Sequence, residues 1–116
     1  MINIWKMINA MTLWLDDIRE PWKYGYIDAI WAKTADEAIE YLNRGGIDFA
    51  SLDHDLSEMA TIGQPGPNEK TGYTVVCWME ENGVWPERGV AVHSMNPAGK
   101  ARMEAVIRKH YGRNFK

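Results

Sequence analysis

Ser51-Leu52-Asp53-His54-Asp55-Leu56 closes an apolar run that begins at Ile47, and the run stops on three ionisable side chains. This is how a buried strand ends when its tip carries chemistry. Side chains alternate across a strand, so Asp53 and Asp55 are expected on one side and His54 on the other if the extended conformation persists. Two other apolar runs stop in the same way: Leu13-Trp14-Leu15 on Asp16-Asp17, and Val90-Ala91-Val92 on His93-Ser94. Open α/β sheets bind ligands beyond the carboxyl ends of their parallel strands. Three strands ending together would therefore bring these polar clusters into one site.

Composition bounds what the site can serve. The chain has 116 residues, one cysteine and a net charge of −3, which predicts one compact domain without a disulfide framework in a reducing, cytoplasmic setting. A domain of this size buries roughly two thirds of its unfolded surface and needs no metal to hold its core, so a bound ion would be functional. Apolar runs fall far short of the ~20 residues of a membrane span, and residues 1–11 lack the basic start and cleavage site of a signal peptide. The mild acidity speaks against extended binding along a nucleic-acid backbone. A phosphate-containing small molecule or a nucleic-acid end remains the expected partner, with no membrane involved.

Residues 1–10 are read as an extension ahead of a single domain at 11–116, either dispensable or an extra edge strand or partner-binding arm. Residues 11–15 are near-continuously apolar, as in a parallel strand covered on both faces. Residues 18–29 hold Pro21, Gly25 and three aromatics without helical period, which predicts a loop. Its Trp22, Tyr24 and Tyr26 either cover a bare sheet face or stack on a nucleobase. A strand at 29–32 leads to a capping box, Thr34-Ala35-Asp36-Glu37, and a helix with Ala35, Ala38, Ile39 and Leu42 on one stripe. Residues 57–70 have no periodicity and read as a lid or as disorder. A helix at 71–82 follows. A final helix opens at Asn96-Pro97, with Met103, Val106, Ile107 and His110 expected on its inward side.

Four carboxylates, Asp16, Asp17, Asp53 and Asp55, would crowd one rim. Two like charges ~4 Å apart repel by about 4 kcal/mol at an effective dielectric near 20, so either a carboxyl keeps its proton or a cation sits among them. A hard divalent ion, Mg²⁺ or Mn²⁺, suits such ligands. The alternative is that some of these residues are solvated or cap turns. His93 and His54 titrate near neutrality and are candidate proton carriers beside Asp53. Ser94 and the backbone N–H groups of Ala98 and Gly99 would face an anion at a helix N-terminus, with Asn96 at least the N-cap.

Taken together, Leu13 through Pro21, Ser51 through Leu56, Thr71-Gly72-Tyr73, and His93 through Gly99 with Arg102-Met103 resemble the cyclic-phosphate-processing receiver domain family over residues 11–110. The resemblance implies an α/β, receiver-like (flavodoxin-like) three-layer fold. Its mainly parallel four-stranded sheet would have the order 2-1-3-4 and lack the receiver's first helix and fifth strand. It also implies that Asp16 and Asp17 match the receiver's metal-binding acidic pair, Asp53 its phosphoacceptor and Ser94 its hydroxyl residue. The fifth strand's lysine has no counterpart, although Arg19 or Lys100 offers a positive charge, and Thr74 stands where an acid commonly follows Gly-Tyr. The expected function is a metal-dependent phosphoesterase acting on a nucleotide or RNA-end 2′,3′-cyclic phosphate or on a cyclic nucleotide. Asp16, Asp17, Asp53 and Asp55 would serve the metal, and Asp53, His54 and His93 catalysis. Arg19, Ser94, Asn96, Ala98 and Gly99 would serve the phosphate. The alternative is a receiver-type phosphoacceptor or phosphate-binding module without turnover.

Overall fold

The computed structural model of the chain describes residues 11–56 and 70–112. The expected extension at 1–10 and nearly all of the lid-like stretch at 57–70 lie outside the described residues. Four strands, β1 (Met11–Leu15), β2 (Ile30–Ala32), β3 (Ile47–Leu52) and β4 (Val90–Val92), form one parallel sheet in the order β2-β1-β3-β4. Three α-helices follow strands β2, β3 and β4 in turn: α1 (Ala35–Arg44), α2 (Gly72–Asn82) and α3 (Pro97–Tyr111).

Handedness explains the layers. The connections β2–α1–β3 and β3–α2–β4 both step across the sheet in the same direction, so right-handed crossovers put both helices on one face. There Leu13, Leu15, Ala50 and Leu52 share a buried core with Val75, Val76 and Met79 of α2 and Met103 and Ile107 of α3. The β1-to-β2 connection steps the other way and covers the opposite face. It is a loop, as its Pro21 and Gly25 predicted, tightened into a 3₁₀ turn at Pro21–Tyr24 that ends on Gly25 at φ 92°. Tyr24 and Tyr26 lie 5.5 and 5.3 Å from the Trp14 ring, Tyr26 also stacks on Phe49, and Trp22 meets Trp31 edge-on. The aromatics thus form the third layer in place of the receiver's first helix.

Local signals fix the helix starts. Thr34 accepts from the Glu37 N–H, and Thr71 and Thr74 close a reciprocal capping box on α2. Thr74 therefore has a structural task at the position where the family resemblance implies an acid. On α3, Met103 and Ile107 are buried and Val106 partly so. His110, expected inward, is exposed and stacks on Trp85 with ring centroids 4.3 Å apart. Among the described residues, no helix is long and apolar enough to cross a membrane.

Candidate metal and phosphate site

Each strand ladder extends one residue past its strand and ends on a candidate. Asp16 N–H donates to Ala32 O, Asp53 N–H to Leu15 O, and His93 N–H to Leu52 O, at 3.1, 2.9 and 3.0 Å. The register pairs Leu15 with Leu52 and Leu52 with Val92. Asp16, Asp53 and His93 therefore form a row across the carboxyl edge of β1, β3 and β4, pinned by backbone rather than by side chains alone.

Asp16 is almost fully buried. Its Oδ1 accepts the backbone N–H groups of Ile18 and Arg19 at 2.9 and 2.8 Å, which wraps the loop around the carboxylate. Its Oδ2 lies 3.1 Å from His93 Nε2 and 3.7 Å from Arg19 Nη1. His93 Nδ1 lies 2.8 Å from Ser51 Oγ, and the ring stacks on Trp14 at 3.9 Å and 3°. A carboxylate only accepts, so the network assigns the proton to Nε2 and leaves Nδ1 to accept from the Ser51 hydroxyl. Burial pushes His93 below its ordinary pKa, against the pull of Asp16, and the neutral ring this favours matches that assignment. Both ring nitrogens are engaged, and His93 stands behind Asp16 as an orienting group.

Asp53 Oδ1 accepts from the His54 N–H at 2.8 Å, and the Ser94 side chain also bonds the carboxyl. Burial first, then the neighbouring Asp16 charge, pushes the Asp53 pKa up to about 6 against the lowering influence of those bonds and of Arg19. His54 turns away from this row. Its ring lies against Gly99, where a Cβ would come within 2.5 Å of it, and its Nδ1 reaches Asp55 Oδ1 at 2.8 Å. The Asn96 side-chain amide approaches the same Asp55 oxygen at 3.4 Å, while Asn96 Oδ1 caps α3 through the Gly99 N–H. Gly99 thus makes room for an imidazole, and its N–H already has an acceptor.

A cavity of ≈ 290 Å³ opens at the row's edge, lined by Asp16, Asp17, Arg19, Asp53, Asp55 and two apolar residues, Ile18 and Met95. Ligand oxygens of Asp16, Asp17 and Asp53 all lie within 4.8 Å of one another. An all-carboxylate donor set with one member raised to a pKa of about 6 by burial and then by the neighbouring Asp16 charge fits a hard divalent cation. Asp55 lines the same cavity outside that group of three. Of the residues expected to bind phosphate, Arg19 lines the cavity and Ser94 touches Asp53, whereas Asn96, Ala98 and Gly99 belong to the α3 cap and do not line it. Sequence reasoning missed Ser51, Ile18 and Met95. Ser51 was accessible through alternation, since it precedes Asp53 by two, but nothing in the sequence singles out Ile18 or Met95.

No curated protein and no solved structure matches the chain. A family model does: the cyclic-phosphate processing Receiver domain, over residues 11–109. That span begins with the first residue of β1 and ends within α3, so it contains every described element that positions the carboxylate row. By the extent of that match, this chain belongs to the cyclic-phosphate processing receiver domain family.

Proposed function

We propose that the protein is a metal-dependent phosphoesterase that opens a five-membered cyclic phosphate, such as a 2′,3′-cyclic phosphate, to a phosphate monoester. The observation that carries the reading is the meeting of Asp16, Asp17 and Asp53 within 4.8 Å beside Arg19 in one cavity, within a chain of this family. Asp16, Asp17 and Asp53 would hold the ion, which supplies charge to polarise a phosphoryl oxygen and acidify water. Arg19 is the cation that lines the cavity, and it orients the phosphate. Water adds to phosphorus, one ring P–O bond breaks, and the proton released by water ends on the departing oxygen. Asp55 lines the cavity with His54 Nδ1 2.8 Å from its Oδ1, and this pair would carry that proton. His93 contributes by holding Asp16 in orientation.

Purified protein is expected to hydrolyse nucleoside 2′,3′-cyclic phosphates with Mg²⁺ or Mn²⁺ and to stop on adding EDTA. Asp53→Asn should lower kcat/KM by about 10²-fold or more. Turnover that survives EDTA, or Asp53→Asn at wild-type rate, contradicts the assignment. The contact between Ser94 and Asp53 supports a second reading, in which Asp53 itself accepts a phosphoryl group. Acetyl phosphate with Mg²⁺ would then leave a base-labile adduct on Asp53, detectable by mass spectrometry.

A further inference from the structure

Ile18 and Met95 have no task in the mechanism, yet both line the carboxylate cavity, and they are 60% and 81% exposed. Ile18 follows β1 and Met95 follows β4, the two strands that flank β3. They therefore bring two apolar side chains to the acidic cavity from the loops that flank the one after β3. Its acidic floor alone is a poor anion trap. Four carboxylates face one guanidinium there, and a dication does not reverse the sign of that sum. Apolar contact with the part of the substrate that is not phosphate would add affinity that an acidic floor does not supply.

The cavity of ≈ 290 Å³ is open, and its two apolar lining residues lie beside the carboxylates rather than among them. Five-membered cyclic phosphates form on vicinal hydroxyls, as in glycerol, inositols and ribonucleosides. Glycerol and inositol would set hydroxyls against Ile18 and Met95. Only a ribonucleoside brings a flat apolar face with its polar groups at the edge, where an open cavity leaves them hydrated.

We propose that Ile18 and Met95 form the nucleobase site of this cavity and make the substrate a nucleoside cyclic phosphate. This rests on the cyclic-phosphate reading above and deepens it.

The test compares nucleoside 2′,3′-cyclic phosphate with glycerol 1,2-cyclic phosphate, which carries the same reacting ring without a base, in wild type, Ile18→Ser and Met95→Ser. Wild type is expected to favour the nucleoside in kcat/KM by about tenfold or more. Each substitution should erase several-fold of that preference through KM, leaving the glycerol ester unchanged. A short oligoribonucleotide ending in the cyclic phosphate distinguishes a strand end from a free nucleotide, and the Ile18→Ser loss is expected for whichever is turned over. Equal kcat/KM for the nucleoside and glycerol esters, or variants that impair both alike, would overturn the base site. A readout without turnover keeps the base site separate from the phosphoesterase reading. In methyl-labelled protein with Mg²⁺, the Ile18 and Met95 methyl resonances should shift with the nucleoside ester and not with the glycerol ester. Shifts without hydrolysis would sink the phosphoesterase and keep the base site, while unshifted methyls would sink the base site even if hydrolysis is seen.

Discussion

Gly72→Ala is expected to lower the melting temperature by on the order of 15 °C and to weaken activity about 10²-fold, although Gly72 touches no substrate. A Cβ on Gly72 would lie 1.9 Å from the Asp53 carbonyl oxygen and 2.8 Å from Met103 Cε. The nearer obstacle is backbone, which cannot rotate aside as a side chain does. The Gly72 N–H also donates to His54 O at 2.9 Å, so the start of α2 is docked directly on the segment that carries Asp53, His54 and Asp55. Opening that contact should cost about 3 kcal/mol and move Asp53 relative to Asp16. Gly25→Ala is the control. Gly25 has φ 92° but open space around its Cβ position, so its change should cost only about 1 kcal/mol and spare activity. Thermal melts and turnover of both variants check this, and a Gly72→Ala protein with wild-type stability would contradict the docking.

The contrast between these glycines bears on what a sequence discloses. The row Asp16, Asp53 and His93 was legible because it rests on period-2 alternation and on apolar runs that stop abruptly, both local signals. The N-cap at Thr34 and the helix-free crossover after β1 were legible for the same reason, but the full box expected at Thr34 is not closed, since Glu37 Oε2 takes the Lys33 N–H, and the reciprocal box forms instead at Thr71 and Thr74, where only a helix was expected. Gly72 appeared only as part of a motif, because its reason is an approach to Asp53, nineteen positions earlier in the chain. The partners of His93 depend on the register of three strands, and sequence left it as a candidate proton carrier; the fold commits both its nitrogens to Ser51 and Asp16. His110 was misplaced because a helical stripe near a chain end borrows its partner, here Trp85, from a distant loop.

The second large effect is expected from pH. Asp53 has its folded pKa raised from 3.8 to about 6, so between those values the folded protein binds more protons than the unfolded chain. Stability is then undiminished by this group below about pH 4 and falls as pH rises through 6. The loss reaches about 3 kcal/mol at most. Asp53→Asn keeps an acceptor for the His54 N–H and removes the charge. In metal-free protein it should match wild type near pH 4 and exceed it near pH 7 by several degrees in Tm. Melts of both proteins across that range give the difference directly. An Asn variant less stable than wild type at pH 7 would mean that the Asp53 charge is welcome in the empty site, and that Asp16 does not press upon it. Asp36→Asn, on an exposed pair with Lys70, should show neither effect.

Convergence of Asp16, Asp17 and Asp53 on one cation is the claim on which the rest depends, and a thermal titration with Mg²⁺ at pH 7.5 tests it most directly. An ion that binds only the folded state stabilises it by about 2.7 kcal/mol at a hundredfold excess over Kd, which is a rise of very roughly ten degrees for a domain of this size. Wild type should show that rise and reach a plateau with added Mg²⁺, and Asp53→Asn should show little of it. A wild-type melting temperature that stays flat through millimolar Mg²⁺ and Mn²⁺, or an Asn variant that rises equally, would contradict the site.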